Sequence, residues 1–274
     1  MTAPTDSLVA FDDRAEGLYR FAPLADQPGL THVVTGGNAN LATHLGAGCE
    51  HAVDHRRRIC AVLGLDFARL TSTRQVHGAE VFGVDAEAAG TGCGERDGSE
   101  PAADALMTDV PGVALLALSA DCPLVLVYDP ARAAVGVAHA SWKGTVGGIA
   151  ARQVSAMCDR LGCDPKAMVA AVAPSAGPCC YEVGAEVVDD ATASLPDAPR
   201  HFKDGSKGRP HFDLWSANSA QLTQAGLARD RITIANVCTI CDRRFFSYRR
   251  EGPDTGRFAL IAAINAEFGV RSAE

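Results

Sequence analysis

Three short apolar runs stand almost back to back in the middle of the chain: Val113 to Ser119, Leu124 to Tyr128 and Ala133 to Ala138. Runs of this length with little polar alternation read as near-continuous buried strands. The breaks between them are Asp121-Cys122-Pro123 and Asp129-Pro130-Ala131-Arg132, and the second has the composition of a tight turn. The last two runs therefore read as a hairpin. If Tyr128 pairs with Ala133, the register carries outward until Cys122 lies opposite His139 on the same face, with Cβ atoms roughly 4.5–5.5 Å apart. A slip of one residue would turn every side chain to the other face.

Over the rest of the chain strands and helices alternate without strict βαβ regularity. Leu30 to Thr35 reads as a strand running into the polar loop Gly36 to Asn40, and Glu80 to Asp85 as another strand. Glu50 to Leu63 has helical spacing with Arg56-Arg57-Arg58 on the solvent side, and Thr145 to Leu161 has it again, closed by Gly162. Glu87 to Ala102 reads as a mobile surface loop away from function. Met168 to Ala173 is a strand that ends in the breaker-rich stretch Pro174 to Cys180. Asp213 caps a helix to about Ala225, Ile232 to Val237 is a strand, and Phe258 to Phe268 is read as a helix. The expectation is an irregular segment over residues 1–29, then one catalytic α/β domain over 30–268 with at least one mixed sheet.

Composition narrows the function classes. At 274 residues, with 47% hydrophobic and 21% charged residues, the chain can bury a large core. A net charge of -8 and a pI of about 5.5 argue against nucleic acid as the main partner, while leaving room for a local basic pocket. Met1 to Ser7 lacks the basic and apolar regions of a secretory signal, and Asp121 and Pro123 interrupt the best membrane-span candidate. A cytoplasmic protein with no membrane partner is expected; its oligomeric state is not readable. In that compartment the ten cysteines are expected to be reduced and mostly packing. Cys238-Thr239-Ile240-Cys241 has the spacing of a redox or zinc half-site, but no second such pair completes it, so a non-redox role is favoured.

Chemistry concentrates at three places. His77 in Gln75-Val76-His77-Gly78, Cys122 and His139 offer two imidazoles and a thiol to one site. Imidazole nitrogen and thiolate both suit zinc, and a catalytic zinc takes three protein ligands plus an open position. Copper can load the same donor set by affinity alone. Cys122 can equally be read as a nucleophile activated by His139, giving a Cys-His hydrolase or amidase acting on peptidoglycan precursors. Asp121 either orients a ligand histidine or caps a turn, with both readings open. The dinucleotide, P-loop, HExxH, GxSxG and zinc-deaminase patterns are absent, and the eight histidines form no paired HxH clusters of a multicopper oxidase.

Five motifs in order carry a resemblance: Gln75 to Gly78, Ala120 to Pro123, Ala138 to Gly144, Cys180 to Gly184, and Phe245 to Arg250 with Thr255-Gly256-Arg257. Together they resemble the polyphenol oxidase or laccase-domain family, also called peptidoglycan editing factor, a zinc-dependent purine nucleoside phosphorylase family. The resemblance spans roughly residues 30 to 265. It implies a layered α/β/β/α fold, zinc on His77, Cys122 and His139, and purine nucleoside and inorganic phosphate as substrates; Cys122, His139 and Asp121 are the expected catalytic residues. Adenosine, inosine and methylthioadenosine are the implied nucleosides, with adenosine deamination as a companion activity and a copper-loaded phenol oxidase as an alternative. Ser141 and Lys143 stand where the family has glycine and arginine, so Lys143 keeps the charge without the bidentate fork. Lys143, Arg249 and Arg250 are the expected anion ligands, although adjacent strand residues point to opposite faces and only one of the two arginines is expected to face the site. Gln75, Asn40 and Ser175 complete the expected substrate contacts.

Overall fold

The computed structural model describes residues 7–11, 17–205 and 208–268; Met1 to Asp6 lie outside the described residues. One six-stranded sheet has the order β1 (Leu8–Ala10), β2 (Leu18–Phe21), β3 (Leu30–Thr35), β14 (Phe258–Ile264), β7 (Ala114–Ser119) and β4 (Leu70–Ser72). The other runs β13 (Ile232–Ile234), β10 (Val169–Val172), β8 (Leu124–Asp129), β9 (Ala134–His139), β6 (Ala105–Thr108) and β5 (Val81–Gly83). Both are mixed: β4–β7, β5–β6 and β10–β13 pair in parallel, and the remaining pairs are antiparallel. A short hairpin of β11 (Phe202–Asp204) and β12 (Pro210–Phe212) stands apart.

The two sheets pack face to face. Their inner faces meet through Leu115, Ala117, Leu260 and Ala262 of the first and Leu124, Leu126, Tyr128, Val135 and Val137 of the second. The intervening residues point the other way. Leu116, Ala259 and Ile261 pack with Ile59 and Cys60 of α1 (Ala52–Leu63), while Val125, Val127 and Ala138 pack with α3 (Ile149–Leu161) and with Leu222 of α5 (Leu214–Gln224). This period of two, with both faces apolar, is what a strand sandwiched between layers requires. The α/β/β/α layering read from the resemblance is borne out. Three shorter helices, α2 (Trp142–Val146), α4 (Ala185–Ser194) and α6 (Tyr248–Glu251), lie outside those layers or at their ends.

Several expectations are corrected. The segment before Leu30, read as irregular, contributes β1 and β2 to the first sheet. Phe258 to Ile264 is a central strand rather than a helix: seven consecutive buried residues show no alternation, and apolar periodicity cannot separate such a strand from a buried helix. The hairpin register is Tyr128↔Val135 and Leu124↔His139, two residues from the expected one. A two-residue shift preserves the faces. Cys122 thus precedes the paired region instead of lying opposite His139. The expected helix from Thr145 is split at Gly147-Gly148, where Gly148 takes a left-handed φ of 79°. Arg56, expected in solvent with its neighbours, is only 2% exposed and donates to the carbonyls of Leu41, Gly92 and Cys93.

Candidate active site

β9 ends at His139, and β6 beside it begins just after Asp104, so the edge of the second sheet delivers both residues together. The main-chain N–H of His139 bonds to the Asp104 carbonyl at 2.7 Å, and its Nδ1 donates to Asp104 Oδ1 at 2.9 Å. The same carboxylate accepts the backbone N–H groups of Val76 (3.0 Å), His77 (3.0 Å) and Gly78 (2.8 Å). Burial alone would raise the pKa of Asp104, which is 1% exposed, but bonds from His139 and Gly78 outweigh it and hold it below the ordinary value. One carboxylate therefore fixes both the His77 loop and the His139 ring. With Nδ1 engaged, Nε2 is the atom of His139 left for a ligand.

The loop is held in an unusual shape. His77 adopts φ 60°, a left-handed conformation that the three N–H bonds to Asp104 compensate. α2 approaches this loop so closely that a Cβ on Gly144 would stand 2.8 Å from the Gly78 carbonyl. Cys122 sits between β7 and β8, behind Asp121 with φ 100°. Nitrogen atoms of His77 and His139 and the Cys122 sulfur all lie within 4.8 Å of one another. Burial opposes charge on His139, yet Cys122 and Asp104 pull its pKa up to about 9. Burial first, and then His139, push that of His77 down.

These atoms open on a cavity of about 490 Å³ that Leu118, Tyr181 and Tyr248 also line. That size suits a small organic ligand. Arg56, Arg96, Arg249, Arg257 and His44 line it too, so an acidic protein carries a basic recess. Burial lowers the pKa of His44, and the charges of Arg96, Arg56 and Arg257 around it lower it further. Arg249 lies over the Tyr181 ring at 5.2 Å and donates to the Glu182 carbonyl at 3.0 Å.

The expected residues divide. His77, Cys122, His139, Asp121, Gln75 and Arg249 line the cavity; Lys143, Arg250, Asn40 and Ser175 do not. Lys143 stacks on Trp142 at 5.5 Å, although its charge still depresses His77. Arg250, in α6 rather than a strand, spends its guanidinium on the carbonyls of Thr239, Ile240 and Phe245. Asn40 ties Leu45, Ala47, Ala42 and Arg257 together, and Ser175 accepts from Trp215. Gln75 spends both amide atoms on Leu118 at 2.8 Å. Asp121 resolves in favour of a joint: its carboxylate accepts from Thr239 Oγ1 (2.6 Å) and the Arg249 N–H (2.7 Å), and Asp104 takes the histidine-orienting role instead.

Sequence reasoning missed Asp104, Arg56, Arg96, His44 and Tyr248. Asp104 at the head of Ala105 to Thr108 was the available signal, a carboxylate entering a fully buried strand. Arg96 and Glu100 belong to the loop read as remote from function, which instead forms one wall of the cavity.

The donor set fits zinc. Ligands at roughly 2.0–2.3 Å around a tetrahedral ion stand about 3.4–3.8 Å apart, a span that three atoms within 4.8 Å reach with small rotamer changes. Asp104 supplies the carboxylate behind a ligating histidine that such sites use.

The family described as multi-copper polyphenol oxidoreductase laccase has a model that matches residues 31–265. A relative from Geobacillus stearothermophilus, named purine nucleoside phosphorylase YlmD, is 36% identical over 231 residues, 84% of each chain. Another, adenosine deaminase RL5 from an unknown prokaryotic organism, is 32% identical over 251 residues, 90% of this chain and 94% of its own. The crystal structure of YlmD from Geobacillus stearothermophilus aligns with a TM-score of 0.85 at 32% identity, covering 95% of this chain and 100% of that one. With the match running from β3 to the end of β14, the chain belongs to the multi-copper polyphenol oxidoreductase laccase family.

Proposed function

We propose that this chain is a purine nucleoside phosphorylase whose site is built on His77, Cys122 and His139, with zinc as the metal they hold. The observation that carries the reading is the opening of these three donors onto a cavity that is basic and aromatic at once. Relatives named purine nucleoside phosphorylase and adenosine deaminase support it.

In phosphorolysis an oxygen of inorganic phosphate forms a bond to the anomeric carbon while the bond to the purine nitrogen breaks. The purine leaves with the bonding pair and takes up a proton. Arg249 and Arg257, with Arg96 and His44 beside them, bind the phosphate and hold its oxygen toward the sugar. Tyr181 and Tyr248 bracket the purine, and Leu118 supplies an apolar floor. Asp104 acts through its neighbours, holding His139 in one ring orientation and the His77 loop in one shape. Zinc, when bound, supplies a Lewis acid and a concentrated positive charge facing the cavity. Adenosine, inosine and methylthioadenosine are the proposed nucleosides, and adenosine deamination is the companion reaction in which water adds to the base and ammonia leaves.

A second reading rests on one contact. The Cys122 sulfur lies within 4.8 Å of a His139 ring nitrogen while Asp104 holds Nδ1, which is a Cys-His-Asp arrangement suited to a thiol hydrolase. The phosphorylase reading accounts for His77 as well, which the hydrolase leaves without a task.

The test is mass-spectrometric product analysis of a nucleoside panel with and without phosphate. Free base and ribose 1-phosphate, formed only with phosphate and abolished in His77→Ala, are expected. Full activity in chelator with electrophile labelling at Cys122 would transfer the site to the hydrolase reading.

A further inference from the structure

A second cluster of metal-type donors lies outside the cavity. Cys179 and Cys180 follow β10 in a loop, and Cys238 and Cys241 follow β13 in another, yet all four sulfur atoms lie within 4.8 Å of one another. Cys180 and Cys241 sulfurs are 3.3 Å apart, and Cys179 and Cys241 sulfurs 3.9 Å. Four sulfurs at about 2.3 Å from a tetrahedral zinc stand roughly 3.8 Å from one another, a value that these two separations bracket. All four are free thiols. The second pair that the CxxC spacing lacked in sequence is thus supplied by Cys179 and Cys180 across the fold.

The backbone is arranged for it. Asp242 and Cys241 N–H groups bond to the Cys238 carbonyl at 2.8 and 3.1 Å, a tight turn that brings both sulfurs of the CxxC to one side. The Gly177 N–H donates to the Cys238 sulfur at 3.2 Å, the kind of bond that stabilises a metal-bound thiolate. Gly177 has no alternative there, since a Cβ would stand 3.0 Å from the Cys238 Cβ and 2.7 Å from the Trp215 ring. Arg250, paired with Glu251, places its guanidinium on the Thr239 and Ile240 carbonyls and so braces the turn between Cys238 and Cys241. The loops are joined further by Thr239 N–H to Ser175 carbonyl (3.0 Å) and Ser175 N–H to Val237 carbonyl (3.2 Å).

We propose that Cys179, Cys180, Cys238 and Cys241 form a closed four-thiolate zinc site, separate from the His77, Cys122 and His139 centre, that clamps the loop leading to Tyr181 of the cavity wall onto the loop whose Thr239 holds Asp121. A full set of four protein ligands leaves no position for substrate, which marks a structural site rather than a catalytic one. Its position gives it work to do. Tyr181 follows Cys180 directly, and Asp121 accepts from Thr239 and from Arg249, so the clamp sets one wall of the cavity and the backbone beside Cys122. Metal entry releases thiol protons and joins segments about sixty residues apart, which stabilises the folded state. The inference is independent of the reaction at the cavity, because it concerns a different set of ligands.

Metal counting by plasma mass spectrometry on protein purified anaerobically with added zinc tests it. Two zinc ions per chain are expected in the wild type, and one in the His77→Ala/Cys122→Ala double variant. That variant, reconstituted with cobalt(II), should show the intense thiolate charge-transfer absorption of a four-sulfur site. Cys238→Ser/Cys241→Ser should lose one zinc and keep the other. If the cysteine variant does not fold, the histidine–cysteine variant still decides, since it leaves the quartet intact. Zero zinc there overturns the proposal, as does a Cys180–Cys241 disulfide in the peptide map of freshly isolated protein. Loss of phosphorolysis with both ions still bound would count against the proposed reaction and not against the clamp.

Discussion

The two donor clusters of this chain are built in opposite ways. His77, Cys122 and His139 stand on strand ends and a loop locked by one buried carboxylate, with three donors and an open side toward a cavity. Cys179, Cys180, Cys238 and Cys241 stand wholly on loops, with four donors, backbone N–H support and two exposed members. Three donors at the ends of sheet strands would leave room for chemistry around a bound ion and hold its geometry, whereas four donors on loops would close the coordination and hold the loops. The contrast explains why the carboxylate is spent on the first. A ligating imidazole needs its second nitrogen fixed, whereas a thiolate has no second atom to orient.

The largest expected break in this comparison comes from His77→Ala. Activity on nucleoside plus phosphate should fall about a thousand-fold or more in kcat/KM, the scale of losing a charge-stabilising group, while zinc at the quartet remains. An equal loss of both ions would overturn the assignment of the quartet as a separate site.

A histidine outside both clusters supplies the contrast in pH. Burial lowers the pKa of His32 to about 4, and its Nε2 accepts from the Phe21 N–H at 3.0 Å, so it folds neutral. Above pH 6.5 neither state takes a proton there and stability is unaffected. As the pH falls from 6.5 through about 4, the unfolded chain protonates first and roughly 3 kcal/mol of stability is withdrawn. Urea titrations across this range should show the slope, and His32→Gln should flatten it. Asp104 has the opposite form: its depressed pKa contributes stability at neutral pH that is lost only as the pH falls below the ordinary carboxylate range.

Asp104→Asn should weaken metal at the cavity about 10- to 100-fold in chelator competition and leave the cysteine quartet unchanged. Arg249→Lys keeps the charge and the backbone bond to Asp121 but loses the guanidinium held over the Tyr181 ring. A rise in phosphate KM of about 2- to 5-fold is expected, corresponding to ~0.5–1 kcal/mol of cation–π interaction. An unchanged KM would move the phosphate toward Arg257 and His44.

How far the sequence reached differs between strands and side chains. The runs from Val113 to Ala138 were readable as strands because turn residues bound each of them, but Phe258 to Ile264 was not, since β3 and β14 become neighbours only through pairing across more than 200 residues. His77, Cys122 and His139 stood out because their residue types are rare in such motifs. Arg250 stood in an equally recognisable motif, and Asn40 and Ser175 in polar or breaker-rich loops, yet the fold spends all three on holding neighbouring segments together. A motif records that a residue matters, without recording whether it meets substrate or carbonyl oxygen.

Local patterning by itself determined the buried strands and the Asp213-capped helix, because apolar period and capping chemistry act over a few residues. Tertiary structure alone decided which carboxylate stands behind His139, that Arg56 turns inward, and that two separate cysteine pairs meet. Each of those depends on distant backbone groups arriving at hydrogen-bonding distance, and that follows from how the two sheets pair and pack.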